Sequence, residues 1–201
     1  MKLWYDENHI EIGVDEAGRG CLAGRVYAAA VIWPHDLVDE FQGMIKDSKL
    51  LSKGKREMLT EYIIANAIDY GVSYSDNNTI DSVNILNATF LAMHKAIDMI
   101  NIDCDTILVD GTLFKPYKNT PHICMIDGDA RYTAIAAASI LAKTYHDRYI
   151  LDLLQQEPDL EKYGWRTNMS YGTKTHIDAI QQYGITKYHR KTFKTCSNYS
   201  I

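Results

Sequence analysis

Residues 13–31, GVDEAGRGCLAGRVYAAAV, constrain the rest of the chain more than any other stretch. An acid pair, Asp15 and Glu16, stands where a β-branched run gives out, and Gly18-Arg19-Gly20 follows at once, ahead of a second apolar run. Residues 10–14 and 25–33 read as strands, the second closed by Pro34. So short a connection between them predicts antiparallel pairing. Two carboxylates beside a glycine turn are costly unless a cation uses them, which makes this turn a candidate metal site.

The 201 residues, 46% of them hydrophobic, are enough to bury one core, so residues 1–201 are expected to form a single domain. The longest apolar runs, 27–33 and 134–142, fall well short of the roughly 20 residues of a membrane span. The start, MKLWYDENHIEIG, lacks a basic, then apolar, export signal, which predicts a cytoplasmic protein. Cys21, Cys104, Cys124 and Cys196 show no CxxC spacing, which argues against a structural zinc site and a disulfide framework. The formal charge of -5 does not exclude a nucleic-acid partner, because a basic stripe can hold phosphates on an acidic protein.

Further along, residues 35–44 read as a short helix or loop, and Ser52 is the expected N-cap of a helix running to residue 67. Residues 70–75 form a strand pattern. Ile80, Val83, Leu86, Phe90, Met93 and Ile97 recur at helical spacing and predict a core-facing helix over 79–100. DTILVD at 105–110 and ICMI at 123–126 are short strands, each running into acids and glycine. From 132 to about 156 the chain is alanine-rich and free of glycine and proline, a long helix that Pro158 closes. Beyond it, Gly164, Gly172 and Gly184 break the chain into short pieces around a helix at 173–183. Basic residues dominate this tail: Lys174, Lys187, Arg190, Lys191 and Lys194 stand against Asp178 alone over 174–194. The pattern is mixed α/β with one sheet.

Three elements thus deliver carboxylates where a strand stops: Asp15 with Glu16, Asp110, and Asp129. Strand ends converge on one sheet edge, and hard oxygen donors select Mg²⁺ or Mn²⁺ over zinc. Two such ions about 4 Å apart suit in-line phosphoryl transfer. Taken singly, each acid has a plainer role. Aspartate before glycine is a common turn residue, and Asp129 could cap the next helix. In a regular strand, Asp15 and Glu16 would point to opposite faces.

GVDEAGRGCLAG, ILVDG and IDGDARYTAIAAASILAK, in that order, resemble type 2 ribonuclease H, the ribonuclease HII family. So do Asp47-Ser48-Lys49-Leu50, IDSVNILNATFLAMHKAI, and the block from Tyr171 to His176. Ordered blocks spanning most of residues 12–193 are far more specific than any single motif. The resemblance implies an α/β, RNase H-like fold: a central mixed five-stranded sheet flanked by helices over about 1–157, and a helical C-terminal extension over about 158–201. It implies hydrolysis of RNA in RNA–DNA hybrids and incision at single ribonucleotides in duplex DNA, leaving 3′-hydroxyl and 5′-phosphate ends. Carried over residue by residue, Asp15, Glu16, Asp110 and Asp129 are the catalytic acids and hold two Mg²⁺ or Mn²⁺ ions, with Asp15 bridging them. Gly18, Arg19, Gly20 and Tyr171 read the ribonucleotide. A glycine turn lets backbone approach the 2′-OH, the group that separates RNA from DNA.

Lys49, with Lys46, Lys53, Lys55 and Arg56 close by, is the expected phosphate contact near the cut. KYHRKTFK, at 187–194, is the expected backbone-binding surface, with aromatics among its charges. His176 is assigned to packing or hydrogen bonding, and Asp147-Arg148 is left outside the site as an exposed or supporting pair. Three positions depart from the family pattern: Cys21 and Arg25 stand where proline is usual, and Ser170 where glycine is. These departures bear on substrate preference more than on metal binding. Arg19 in the glycine motif favours type HII over HIII. A monomer with no membrane contact and no clamp-binding tail is expected. A related nuclease cutting DNA or junctions, or a non-catalytic hybrid-binding protein, are the alternatives.

Overall fold

The computed structural model describes residues 1–37, 42–45 and 51–199. Lys49, with Lys46, Asp47 and Ser48, lies outside the described residues. A five-stranded mixed sheet occupies the centre, in the order β3-β2-β1-β4-β5. Its strands are β1 (Glu11–Ala17), β2 (Val26–Ile32), β3 (Asp69–Ser75), β4 (Thr106–Asp110) and β5 (His122–Met125). β1 pairs antiparallel with β2, as the short connection requires, and parallel with β4. Reaching β4 in parallel takes a crossover, and α2 (Asn77–Ile97) lies within it.

β1 runs three residues beyond the expected end at Val14. Asp15 and Glu16 stay in register opposite Ala29 and Ala28 of β2, so both acids lie inside the strand. α2 starts at its Asp76 cap, whose carboxylate accepts from Thr79 N–H at 2.8 Å. It is not one continuous helix. Asn84, at φ 67° and ψ 165°, breaks it, and Asn84 Oδ1 recaps the second half by accepting from Asn87 N–H at 3.1 Å. This positive-φ extended conformation is strained for any residue but glycine, and the Asn84 side chain offsets it by capping the helix that follows, so local chemistry overrides the helical spacing here.

α4 (Thr133–Gln156) crosses the other face of the sheet, preceded by the single turn α3 (Gly128–Arg131). Its first ten residues are all buried, and half of them are alanine: Ala134, Ala136, Ala137, Ala138 and Ala142. This lets the helix come down on Gly13 of β1, where an added Cβ would lie 2.2 Å from the Ala134 carbonyl carbon. α1 (Lys53–Asn66), capped by Ser52, packs beside α4 and buries Leu59 and Ile63. The C-terminal part, with α5 (Trp165–Asn168) and α6 (Lys174–Tyr183), closes a separate core around Trp165, Tyr163, Leu154 and Ile180 against the distal half of α4. Among the described residues no helix is long and apolar enough to cross a membrane.

Candidate active site

The sheet, the turn after β1 and α4 enclose a cavity of about 490 Å³, lined by Asp15, Glu16, Gly18, Arg19, Gly20, Asp110, Ser139, Lys143, Arg56 and Tyr171 among others. A second hollow of about 250 Å³ shares Glu16, Arg19 and Asp110 and extends over Phe90, Leu113 and Ile126. The fold therefore brings three of the four sequence-predicted acids, and all of the predicted ribose-reading residues, to one cavity. Asp129 does not line it. It is buried in the first turn of α3, next to Gly128, whose N–H donates to Asp110 Oδ1 at 2.8 Å. Among the described residues, no three carboxylate, imidazole or thiolate groups stand ready to close on one ion. The acids line a shared wall instead.

Asp15 is 6% exposed, and its carboxyl is held well above the usual carboxylate range by burial first, then by the charges of Glu16 and Asp110; a hydrogen bond from Ser139 opposes this. A cation bound among these oxygens would relieve that crowding. The donor set is all oxygen, with no imidazole or thiolate lining the cavity, which suits a hard divalent ion. Arg19 reaches back to Glu16 at 3.0 Å and neutralises part of the charge at the cavity mouth.

The Gly18-Arg19-Gly20 turn is built from three sides. Gly18 sits at φ 89°, and a Cβ there would lie 2.5 Å from the His146 ring, so glycine is required both for its backbone conformation and for the space. From the C-terminal tail, Arg190 inserts a fully buried guanidinium behind the turn. It donates to the carbonyls of Gly18 (2.8 Å), Arg19 (2.8 Å), Gly24 (3.1 Å) and Arg25 (3.1 Å). From the third side, Cys21 forms an antiparallel bridge to Tyr171, which carries that ring to the cavity.

Arg190 corrects the sequence expectation for the 187–194 run. It is the inner clamp of the turn rather than a phosphate contact, while Lys187 pairs with Glu157 at 2.9 Å and Lys191 and Lys194 remain exposed. Nothing in the basic spacing distinguishes it.

Of the two roles open to the 147–148 pair, Asp147 takes the supporting one. It is buried and gathers three partners: Lys143 at 2.8 Å, His146 Nδ1 at 3.0 Å and Arg56 at 3.0 Å. Burial works against its charge, but His146 and Lys143 outweigh it and hold the carboxyl below its ordinary value. Arg56 and Lys143 are thereby fixed as cations in the cavity wall facing the acids. Arg148, by contrast, points away to Glu57 and Glu61. Ser139, Lys143, His146 and Asp147 fall on one stripe of α4 at helical spacing, so a single helix face serves the whole site.

His146 Nε2 lies 3.4 Å from Cys21 Sγ. Burial pushes the thiol up, yet the hydrogen bond and charge of His146, with Arg190, outweigh it and leave the thiol below its ordinary value. Burial likewise opposes charge on His146, and Asp147 with Cys21 overcomes it, holding the imidazole above its ordinary value. Ser170, the third departure from the family pattern, is accommodated by donating its hydroxyl to Ala23 O at 3.0 Å, although its φ is 64°.

Tyr171 is held from behind by a pair of histidines. The contacts fit one assignment of protons: His176 Nδ1–H donates to Tyr171 O at 3.0 Å, and its Nε2 accepts from Trp165 Nε1–H at 3.0 Å and from His189 Nε2–H at 3.1 Å. His189 Nδ1 then accepts from Thr186 N–H at 2.9 Å. His176 thus has the packing and hydrogen-bonding role expected for it. Burial, then the charge on His176, depresses His189 to about 3.

A family model described as Ribonuclease HII matches residues 12–196. A ribonuclease HII from Christiangramia forsetii is 49% identical over 194 residues, covering 96% of this chain and 95% of the relative. Among solved structures, ribonuclease H2 from Pyrococcus horikoshii OT3 is 28% identical at TM-score 0.75, covering 94% of this chain and 95% of that one. Bst-RNase HIII in complex with Mn²⁺ shares the fold at TM-score 0.69 and 16% identity, covering 94% of this chain and 68% of that one.

Proposed function

The chain belongs to the ribonuclease HII family, a type 2 ribonuclease H, and from that premise we propose that it is a metal-dependent endonuclease that cuts RNA in RNA–DNA hybrids and incises 5′ to single ribonucleotides in duplex DNA. One observation carries this reading: the acids Asp15, Glu16 and Asp110 share one cavity with the Gly18-Arg19-Gly20 turn and Tyr171. A reactive phosphate held by the acids therefore has its ribose against the turn.

Asp15, Glu16 and Asp110, with Asp129 as the fourth acid, are the residues that would hold two Mg²⁺ or Mn²⁺ ions. Bound there, the ions would activate water and stabilise the leaving 3′-oxygen. The chain's own residues do the rest. Ser139 orients Asp15, and the Gly128 amide fixes Asp110, so neither carboxylate depends on the ion for its direction. The backbone of Gly18 and Gly20 can reach the ribose 2′-OH with no side chain in the way. Tyr171 offers a flat face to the sugar of the next nucleotide and favours one without a 2′-OH. Lys143 and Arg56, which line the same cavity, supply positive charge to the flanking phosphates. Water adds at phosphorus and the P–O3′ bond breaks, leaving a 3′-hydroxyl and a 5′-phosphate.

The test uses three substrates: a duplex with one ribonucleotide, an RNA–DNA hybrid, and plain DNA, each with Mg²⁺, Mn²⁺ or chelator. The expected result is cleavage of the first two only, lost on chelation, with the cut mapped 5′ to the ribonucleotide. Cleavage of plain DNA, or binding of hybrid without cleavage in either metal, would overturn it.

A further inference from the structure

Cys21, His146 and Asp147 form a buried chain that the chemistry above does not use. The distances are 3.4 Å from Sγ to Nε2 and 3.0 Å from Nδ1 to Oδ1, and none of the three side chains reaches solvent appreciably. Its position matters more than its composition. Cys21 follows Gly20 directly, its N–H donates to Gly18 O at 3.3 Å, and its backbone bridges to Tyr171. The His146 ring fills the space a Gly18 side chain would need and stands 6.0 Å from the Tyr171 ring. The chain therefore touches both elements assigned to reading the ribonucleotide, and touches neither Asp15 nor Asp110.

We infer that Cys21 and His146, oriented by Asp147, are positioning residues for the Gly18-Arg19-Gly20 turn and Tyr171, and that the proton between Sγ and Nε2 sets the preference for single ribonucleotides over continuous hybrid. This rests on the assignment of the turn and Tyr171 as the ribose-reading elements. The groups facing the pair are Lys143 and Asp147 from α4, Arg56 from α1 through Asp147, the Tyr27 ring from β2, Tyr171, and Arg190 from the C-terminal tail. Asp147 accepts from Nδ1–H, so Nε2 and Sγ hold one proton between them around neutrality. A second proton is accommodated, because the thiol can turn its hydrogen to Met169 O at 3.4 Å. Loss of the shared proton is not: a thiolate then faces an imidazole lone pair across a dry contact. The preference is accordingly expected to hold in acid and to fall on the alkaline side.

The experiment measures kcat/KM for a single-ribonucleotide duplex and for a continuous hybrid across pH and follows their ratio, which cancels the pH dependence of the hydrolysis common to both. In the wild type the ratio falls with a midpoint matching loss of the proton shared by the pair, read from Cys21 thiolate absorbance and the His146 ring resonances together and isolated by difference against Cys21→Ser. Cys21→Ser keeps a donor to Nε2 that does not ionise in this range, so it should hold the neutral-pH ratio within about twofold and lose the alkaline fall. Cys21→Ala should lower the ratio about tenfold, equivalent to one lost positioning contact, with thermal unfolding confirming a folded protein. Superimposable profiles for wild type and Cys21→Ser, or an unchanged ratio in Cys21→Ala, would overturn the inference. Tyr171→Ala separates the two levels. If it lowers the ratio while the Cys21 variants do not, only the positioning role fails, whereas an unchanged ratio in Tyr171→Ala removes the ribose-reading assignment beneath it.

Discussion

Replacing Arg190 with methionine removes the clamp behind the glycine turn while keeping most of the side-chain volume. The wild-type guanidinium makes four hydrogen bonds to backbone carbonyls and is fully buried. At about 1.5–3 kcal/mol for each bond involving a charged group, the gross loss is about 6–12 kcal/mol. Against this, burial holds the guanidinium below its ordinary pKa, so the substitution also relieves a desolvation cost of several kcal/mol. Gly18 O keeps a second donor, Cys21 N–H at 3.3 Å, so that acceptor is not orphaned. The net destabilisation expected is about 3–5 kcal/mol, the range for breaking a buried charged network by removing one partner. Urea unfolding followed by tryptophan fluorescence measures it, since Trp165 lies in the same C-terminal core. Lys194→Met, in the same basic run but exposed, is the control and should stay within about 0.5 kcal/mol of wild type. A loss below about 1 kcal/mol for Arg190→Met would refute the clamp and return Arg190 to the role of a surface cation.

Asp15→Asn should abolish cleavage yet leave the protein at least as stable as wild type at neutral pH, because ionised Asp15 is crowded by Glu16 and Asp110; a lowered melting temperature in the inactive variant would count against that crowding. Added Mg²⁺ or Mn²⁺ should raise the wild-type melting temperature and leave that of Asp15→Asn nearly unchanged, read by calorimetry without any substrate. The His176–His189 pair makes the fold acid-sensitive. Both folded pKa values lie below the unfolded value near 6.5, so the unfolded state takes up more protons once pH drops past it, and their contribution to stability, fully present above that pH, is lost as pH falls through the folded values, about 3 for His189. The expected slope is about 1 kcal/mol per pH unit per group, and His189→Gln should flatten it in a urea titration repeated over this window. Asp147→Asn leaves Arg56 and Lys143 without their shared carboxylate and should cost about 3 kcal/mol, with KM for hybrid rising more than kcat falls.

Much of the fold is legible because its signals are periodic. The apolar spacing of α2, the alanine-rich run of α4 and the short strands ending in acids each specify one kind of element. The central sheet combines two antiparallel pairs, β1–β2 and β2–β3, with two parallel ones, β1–β4 and β4–β5, and of these the sequence pattern shows only the short β1–β2 connection. The grouping of Asp15, Glu16 and Asp110 is legible for a related reason: carboxylates beside glycine turns are costly without a purpose, whereas Asp129, read from the same signal, does not line the cavity. What escapes is whatever depends on a partner distant in sequence. Arg190 looks like one more cation in a basic tail until β1 and its turn come into place 165 residues or more away. Whether Asp147 is exposed or supporting stays open in the sequence, because only the packing of α1 on α4 brings Arg56 to it. The break at Asn84 is hidden by an apolar spacing that continues across both half-helices. The extension of β1 to Ala17 is hidden by its acids, which are poor strand formers that β2 nevertheless holds in register.

The contact between Gly13 and the Ala134 backbone has a consequence for how such an enzyme can change. Because the helix rests on the strand with almost nothing between them, its height and rotation are set by missing atoms, and every functional group further along inherits that setting. A methyl added at Gly13 would lift the near end of a rigid lever and shift Ser139, Lys143 and His146 together. The first half of α4 is therefore closed to drift even at residues that meet no substrate. New substrate preferences have to arise beyond the lever, among the residues around Cys21 and the tail that folds over them, where a substitution can move one contact without moving the rest.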